Sequence, residues 1–134
     1  MRSKAKAIRF NQLGDERGHL VVVEGLKDVP FDIKRVFYIY GSDCDVVRGK
    51  HANRKTEFVL INVSGTSKVT TDDGYEKVTF NLDEPHMGVY IPEMVWKDMY
   101  DFSKDSVLLV LASEHYDGSE YMRDYEEFIQ EVRK

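Results

Sequence analysis

The chain has 134 residues, the length of one domain (1–134), and at that size roughly two-thirds of the unfolded surface can be buried without a disulfide or metal staple. Hydrophobic residues make up 42% and charged residues 32%, and 19 Lys+Arg against 24 Asp+Glu leave a net charge of −5. That argues against a general nucleic-acid binder, which would carry a basic excess, but leaves room for a local basic pocket. The single cysteine, Cys44, excludes an intrachain disulfide and fits a reducing, cytoplasmic setting. The basic start, Met1–Ile8, lacks the apolar run of a signal peptide, and runs such as Val107–Ala112 are too short to cross a membrane.

In chain order the dominant signal is the short strand. Ala7 to Leu13 alternates weakly and meets a turn at Gly14–Gly18; with the β-branched run His19 to Glu24 it reads as a hairpin with a long loop. Ile33 to Tyr40 is rich in β-branched and aromatic residues and stops at Gly41. Glu57 to Val63 ends at Ser64-Gly65. Ser67–Thr71 and Lys77–Asn81 flank Asp72-Asp73-Gly74, a hairpin turn signal. Met87–Ile91 and Ser106–Ser113 follow. Seven or eight such strands, at even turn spacing, predict an all-β antiparallel sandwich or barrel. The end differs: Tyr121, Tyr125, Phe128, Ile129 and Val132 recur at helical spacing, with Ser119 as a plausible cap, and predict a short C-terminal helix docked on a sheet.

The segment that carries chemistry is Arg48-Gly-Lys-His-Ala-Asn-Arg-Lys-Thr-Glu57. If it is extended, His51, Asn53 and Glu57 share a face, because strand side chains alternate. His51-x-Asn53, then Glu57 and Gly65, followed by Gly88, Pro92 and Lys97, resembles the two motifs of the cupin superfamily. In the metal-binding members imidazoles occupy the places of Asn53 and Lys97. A charged Lys has no lone pair to give and Asn is a poor transition-metal ligand, so no metal is expected.

Ile33–Gly41, Arg48–Ala52, Phe58–Gly65, Ile91–Met99 and Tyr121–Phe128 together resemble a narrower group, the dTDP-sugar 3,4-ketoisomerases, which are WxcM-like, RmlC-type cupins. The resemblance implies a cupin jelly roll with a short C-terminal α-helix and a homodimer with swapped N-terminal strands. It also implies a dTDP-linked 4-oxo-6-deoxyhexose as substrate and no cofactor, nucleic acid or membrane partner. The reaction moves a ketone from C4 to C3 through an enediolate. It therefore needs a base that works near neutral pH, a positive charge or hydrogen-bond donors at the oxyanion, and cations for the diphosphate.

By the same resemblance His51 is the base, and Arg48, Asn53 and Lys97 are its catalytic neighbours. Arg17, Arg35, Glu57 and Trp96 are the substrate-binding candidates. Each has a plainer alternative. Arg17 can be a solvated turn residue, Arg35 can pair with Glu57 or another carboxylate, Glu57 can orient His51 or Arg48, Trp96 can pack at the rim, and Lys97 can be an exposed strand-end lysine. Relatives often carry a second His in the place of Asn53 and a Tyr in the place of Phe37. A non-catalytic nucleotide-sugar-binding cupin, or a nucleotide-sugar epimerase on the same scaffold, is the competing reading. Arg17 resembles the arginine of enzymes with a galacto-configured product, and Lys97 departs from that pattern.

Overall fold

A computed structural model describes residues 4–134; Met1–Ser3 of the basic start lie outside the described residues. The strands are β1 (Lys6–Arg9), β2 (Gln12–Asp15), β3 (Gly18–Val21), β4 (Arg35–Tyr40), β5 (Arg48–Asn53), β6 (Phe58–Ser64), β7 (Ser67–Asp72), β8 (Lys77–Leu82), β9 (Met87–Ile91), β10 (Trp96–Tyr100), β11 (Val107–Ala112) and β12 (Tyr121–Met122). A 3₁₀ turn at Gly118–Glu120 precedes β12, and helix α1 (Tyr125–Val132) closes the chain. One five-stranded sheet runs β1-β9-β6-β11-β4 and a second runs β12-β5-β10-β7-β8, every pair antiparallel. The ladders thus form two packed sheets rather than one closed barrel, the sandwich form of a jelly roll.

The strand pattern follows the packing. In β6, Phe58 and Leu60 face the core between the sheets, with Val89, Ile91, Leu108 and Val110 from the same sheet and Val69, Leu82 and Met99 from the other. Val59 and Ile61 face the opposite way, against Phe10, Val29, Phe31 and Tyr90. Both faces are buried, so β6 reads as an unbroken apolar run instead of alternating. At roughly 1.5–3 kcal/mol for each fully buried large side chain, these two layers dominate the stability of the sheet. Gly88 of β9 belongs to the same layer: a Cβ there would stand 3.0–3.1 Å from Val59, Ile61 and Phe10. A third cluster, Ala52, Trp96, Met122 and Phe128, seats α1 on the outer face of the second sheet.

Three sequence expectations change. The run Ala7–Leu13 is split: β1 pairs with β9, while β2 pairs with β3 through a tight turn at Glu16-Arg17, not a long loop. The buried Phe10 breaks the run, its amide donating to the His86 carbonyl at 2.8 Å. The C-terminal helix starts later than its stripe suggests. Asp124, not Ser119, caps it, accepting from the amides of Glu126 and Glu127, and Tyr121 lies in β12 instead. The segment Trp96–Tyr100 is a central strand of the second sheet.

Candidate active site

Between the two sheets lies a cavity of about 260 Å³. Phe37, Phe58, Leu60, Met99 and Val110 form its apolar wall, and Arg48, His51, Lys97 and Tyr121 supply polar groups. The floor is the β5–β10 ladder, in which His51 pairs with Lys97 and Gly49 with Asp98. The register slips there, so Lys50 is an extra residue on β5. This bulge breaks the alternation, and Arg48, three residues before His51, lines the same cavity. It also demands glycine. Gly49 has φ +87°, and a Cβ would meet the Lys97 carbonyl oxygen at 2.9 Å.

The bulge aims the Gly49 carbonyl at His51 Nδ1, 3.0 Å away. A carbonyl only accepts, so Nδ1 carries the hydrogen and Nε2 keeps the ring's lone pair. The Tyr121 ring lies 4.7 Å from the imidazole, centroid to centroid. Burial, then the nearby Lys97 charge, lowers the His51 pKa to about 4 against the opposing pull of the Gly49 carbonyl, so the ring is neutral at physiological pH.

Lys97 is 3% exposed. Its Nζ donates to Asn53 Oδ1 at 3.3 Å and stands 4.4 Å from the centre of the Phe58 ring. Burial lowers its pKa to about 7, and Glu120 works in the other direction. Glu120 is itself buried, at 4% exposure. Burial would raise its pKa, but it accepts from the Thr56 hydroxyl and from the amides of Lys55 and Thr56, and these bonds hold the carboxyl below its usual range. The Asn53 amide lies near both Glu120 and His51, and its buried Nδ2 meets no hydrogen-bond partner among the described residues.

The remaining candidates separate. Arg48 lines the cavity, and its side chain makes no hydrogen bond or ion pair among the described residues. Arg35 does not line it but stands beside Phe37, its guanidinium 5.5 Å from the ring centres of Phe37 and Tyr116. Its Nε and Nη2 are buried and unpartnered, so neither Glu57 nor any other described carboxylate pairs with it. Glu57 is turned away from His51. The chain bends at Arg54-Lys55, breaking the alternation on which a shared face depended, and Glu57 accepts the Tyr90 hydroxyl at 2.5 Å. Trp96 lies on the outer face of β10, edge-on to Tyr125 at 5.3 Å and against Phe128 at 5.7 Å, because its neighbour Lys97 takes the inner face. Arg17 sits at the tip of the β2–β3 hairpin, paired with Asp15 at 2.8 Å and 86% exposed, and does not line the cavity of its own chain.

Tyr121 is the site residue that the helical stripe concealed; only its position before the Asp124 cap signals its separate placement. Glu120 was equally hidden, as one more acid in a charged tail. The donor set does not suit a metal: Lys97 brings a cation where a ligand would be needed, and no group of three or more His, Cys, Asp or Glu among the described residues is disposed to hold an ion. No helix among the described residues is long and apolar enough to cross a membrane.

The family model described as FdtA: WxcM-like, C-terminal matches residues 3–133. A TDP-4-oxo-6-deoxy-alpha-D-glucose-3,4-oxoisomerase from Aneurinibacillus thermoaerophilus is 43% identical over 129 residues, covering 96% of this chain and 93% of the relative. The crystal structure of a 3,4-ketoisomerase from Helicobacter canadensis is 39% identical with a TM-score of 0.94, covering 99% of this chain and all of that one. The 3,4-ketoisomerase QdtA from Thermoanaerobacterium thermosaccharolyticum, solved as a His-to-Asn mutant in complex with TDP-4-keto-6-deoxyglucose, is 41% identical. Its TM-score is 0.95, with 99% of this chain and 96% of that chain covered. A bulged strand that presents a neutral imidazole beside a buried lysine thus stands on a fold and sequence shared along the whole chain: it belongs to the WxcM-like family of dTDP-sugar 3,4-ketoisomerases.

Proposed function

We propose that this protein is an isomerase that converts a dTDP-4-oxo-6-deoxyhexose into its 3-oxo isomer by proton transfer through an enediolate, a step of deoxy-amino-sugar biosynthesis. The observation that carries this reading is the His51–Lys97 pair: a base held neutral, with Nε2 carrying its lone pair, and a cation beside it in an apolar cavity. His51 removes the proton from C3, which the C4 carbonyl acidifies. Lys97 and Arg48 stabilise the negative charge that develops on oxygen, an effect magnified by the apolar walls. His51 then delivers a proton to C4. Asn53 holds the Lys97 Nζ in place. Nothing in this sequence requires a metal or a redox cofactor, because the substrate itself is oxidised at one carbon and reduced at the next.

The cavity is smaller than the roughly 300–1,000 Å³ that encloses a whole drug-sized ligand, so it suits the sugar ring and leaves the nucleotide at the mouth. Arg35, with two buried unpartnered nitrogens beside the cavity residue Phe37, is suited to the diphosphate. Glu57 and Trp96 support the walls of the two sheets without reaching the sugar.

The protein acts as a homodimer of single-domain chains (1–134) in the cytoplasm. The β2–β3 hairpin forms its own sheet with Leu13, Leu20 and Val22 exposed, and the edge strand β4 exposes Val36, Tyr38 and Tyr40. A swapped hairpin from a second copy would cover apolar surface and bring Arg17 toward the partner's cavity. Light scattering after size exclusion should give twice the chain mass; a monomer at micromolar concentration contradicts the swap.

The activity is tested by incubating the protein with dTDP-4-oxo-6-deoxyglucose in heavy water and following the sugar by NMR. A 3-oxo product with deuterium at C4 is expected, with deuterium at C3 in the recovered 4-oxo substrate. Binding without exchange would indicate a passive sugar-binding cupin, and exchange at C5 an epimerase.

A further inference from the structure

The enediolate reaction has two proton movements, and His51 accounts for one of them. A hydrogen must pass from C3 to C4, and another must pass from O3 to O4. We infer that Lys97 carries the oxygen-bound proton, and that the buried Glu120 carboxylate tunes it for that role. This rests on the isomerase reading above and deepens it.

The C3–H bond breaks, its proton goes to His51 Nε2, and its electron pair forms the C3–C4 double bond while the carbonyl pair moves onto O4. The Lys97 ammonium gives a proton to O4. The neutral amine then takes the proton of O3, whose electron pair forms the new C3 carbonyl. The C3–C4 pair takes the proton held by His51 at C4. Both residues return to their starting states, and no outside oxidant or reductant takes part.

The geometry suits a group that must both give and take a proton. Lys97 is enclosed, opposite His51 on the same face of the β5–β10 ladder, so both reach one ring from the same floor. Among the described residues no carboxylate contacts Nζ directly; the hydrogen-bond acceptor it meets is Asn53 Oδ1. An amide oxygen can only accept, so it orients the nitrogen equally as ammonium or as amine. The charged and titratable groups lining the cavity around Lys97 or acting on it are His51 and Arg48 from β5, Tyr38 from β4, Tyr121 from β12 and Glu120 from the 3₁₀ turn. The neighbouring strands β4, β6 and β11 present Phe37, Phe58, Leu60 and Val110, and β7 places Thr71 at the paired position. Glu120 is thus the negative charge on this side. Direct pairing would lock the proton on Nζ. Nζ bonds Asn53 Oδ1 instead, and Glu120, acting on it as a charge and not as a partner, keeps the ammonium populated near neutrality while leaving it free to transfer.

Lys97→Arg separates charge from proton transfer, because a guanidinium stays protonated. In heavy water with dTDP-4-oxo-6-deoxyglucose, this variant should still exchange hydrogen at C3, while 3-oxo product forms roughly 10²–10⁴-fold more slowly. Product formation within threefold of wild type would overturn the proposal. Failure of the wild-type protein itself to isomerise or exchange would instead remove the isomerase reading on which it rests. Glu120→Gln should move the alkaline limb of the pH–rate profile to lower pH; a uniform loss of rate with an unmoved limb would leave Glu120 a structural role only, contrary to the proposal. Independently of any variant, ¹⁵N NMR of lysine-labelled wild-type protein should show one Nζ titrating near neutrality. A set of lysines all still protonated at pH 9 would overturn the assignment.

Discussion

Lys97 lies directly opposite His51 in the β5–β10 ladder, and its charge helps keep the imidazole unprotonated. Base and cation are therefore fixed to each other by strand pairing and not by mobile loops, which preserves their relative geometry through a catalytic cycle. The pair also sets a pH window. His51 is a competent base above about 4, and Lys97 is charged below about 7. A plot of kcat/KM against pH should fall on the acid side as His51 protonates and on the alkaline side as Lys97 loses its proton. An alkaline limb beyond pH 10, where an ordinary lysine titrates, would contradict the environment assigned to Lys97.

Burying Lys97 costs stability, and the sign can be followed with pH. Its pKa is lowered from 10.5 in the unfolded chain to about 7 in the fold. Between those values the unfolded state binds more protons, so this residue's contribution becomes more favourable as pH rises from 7 to 10.5, and its full penalty is present below 7. Lys97→Met should remove the penalty, stabilising the protein by about 1–3 kcal/mol at pH 6 while abolishing isomerisation. The advantage over wild type should shrink by pH 10. Denaturant titrations at the two pH values decide it; a destabilised variant at pH 6 would contradict the account.

Arg35 holds two buried, unpartnered nitrogens between the rings of Phe37 and Tyr116. An anion that satisfies them makes charge-assisted hydrogen bonds, each worth roughly 1.5–3 kcal/mol. Arg35→Met should therefore weaken TDP binding roughly 10-fold or more by calorimetry. Unchanged affinity would place the diphosphate elsewhere.

Much of the strand framework was legible because its signals are local. The unbroken apolar run in Phe58–Ile61 and the Asp72-Asp73-Gly74 turn, in which Gly74 has φ +96°, both appear in the fold as the sequence implies. The two strands that carry the site were harder to read. Arg48–Asn53 and Trp96–Tyr100 put charges where a buried strand is normally apolar, since their inner face lines the cavity and not the packed core. Motif order and the resemblance single out His51, Arg48, Asn53 and Lys97 as candidates, and the structure brings them together. Glu57 and Trp96 stand away from that group. A bend at Arg54-Lys55 rotates Glu57 onto Tyr90, and strict alternation next to Lys97 sends Trp96 to the helix side. Tyr121 and Glu120 depend on tertiary contacts across more than sixty residues, as in the Lys55 and Thr56 amides that hold Glu120, and no local pattern announces them.

The most direct test of the account is hydrogen exchange in a His51→Asn variant. Asparagine keeps a polar side chain of similar size but cannot take a proton at neutral pH. With dTDP-4-oxo-6-deoxyglucose in heavy water, the variant should bind the nucleotide sugar with an affinity near that of wild type, yet incorporate deuterium at C3 and C4 and form 3-oxo product at least roughly 10²-fold more slowly. Exchange and product formation at the wild-type rate would show that His51 does not move the carbon-bound proton.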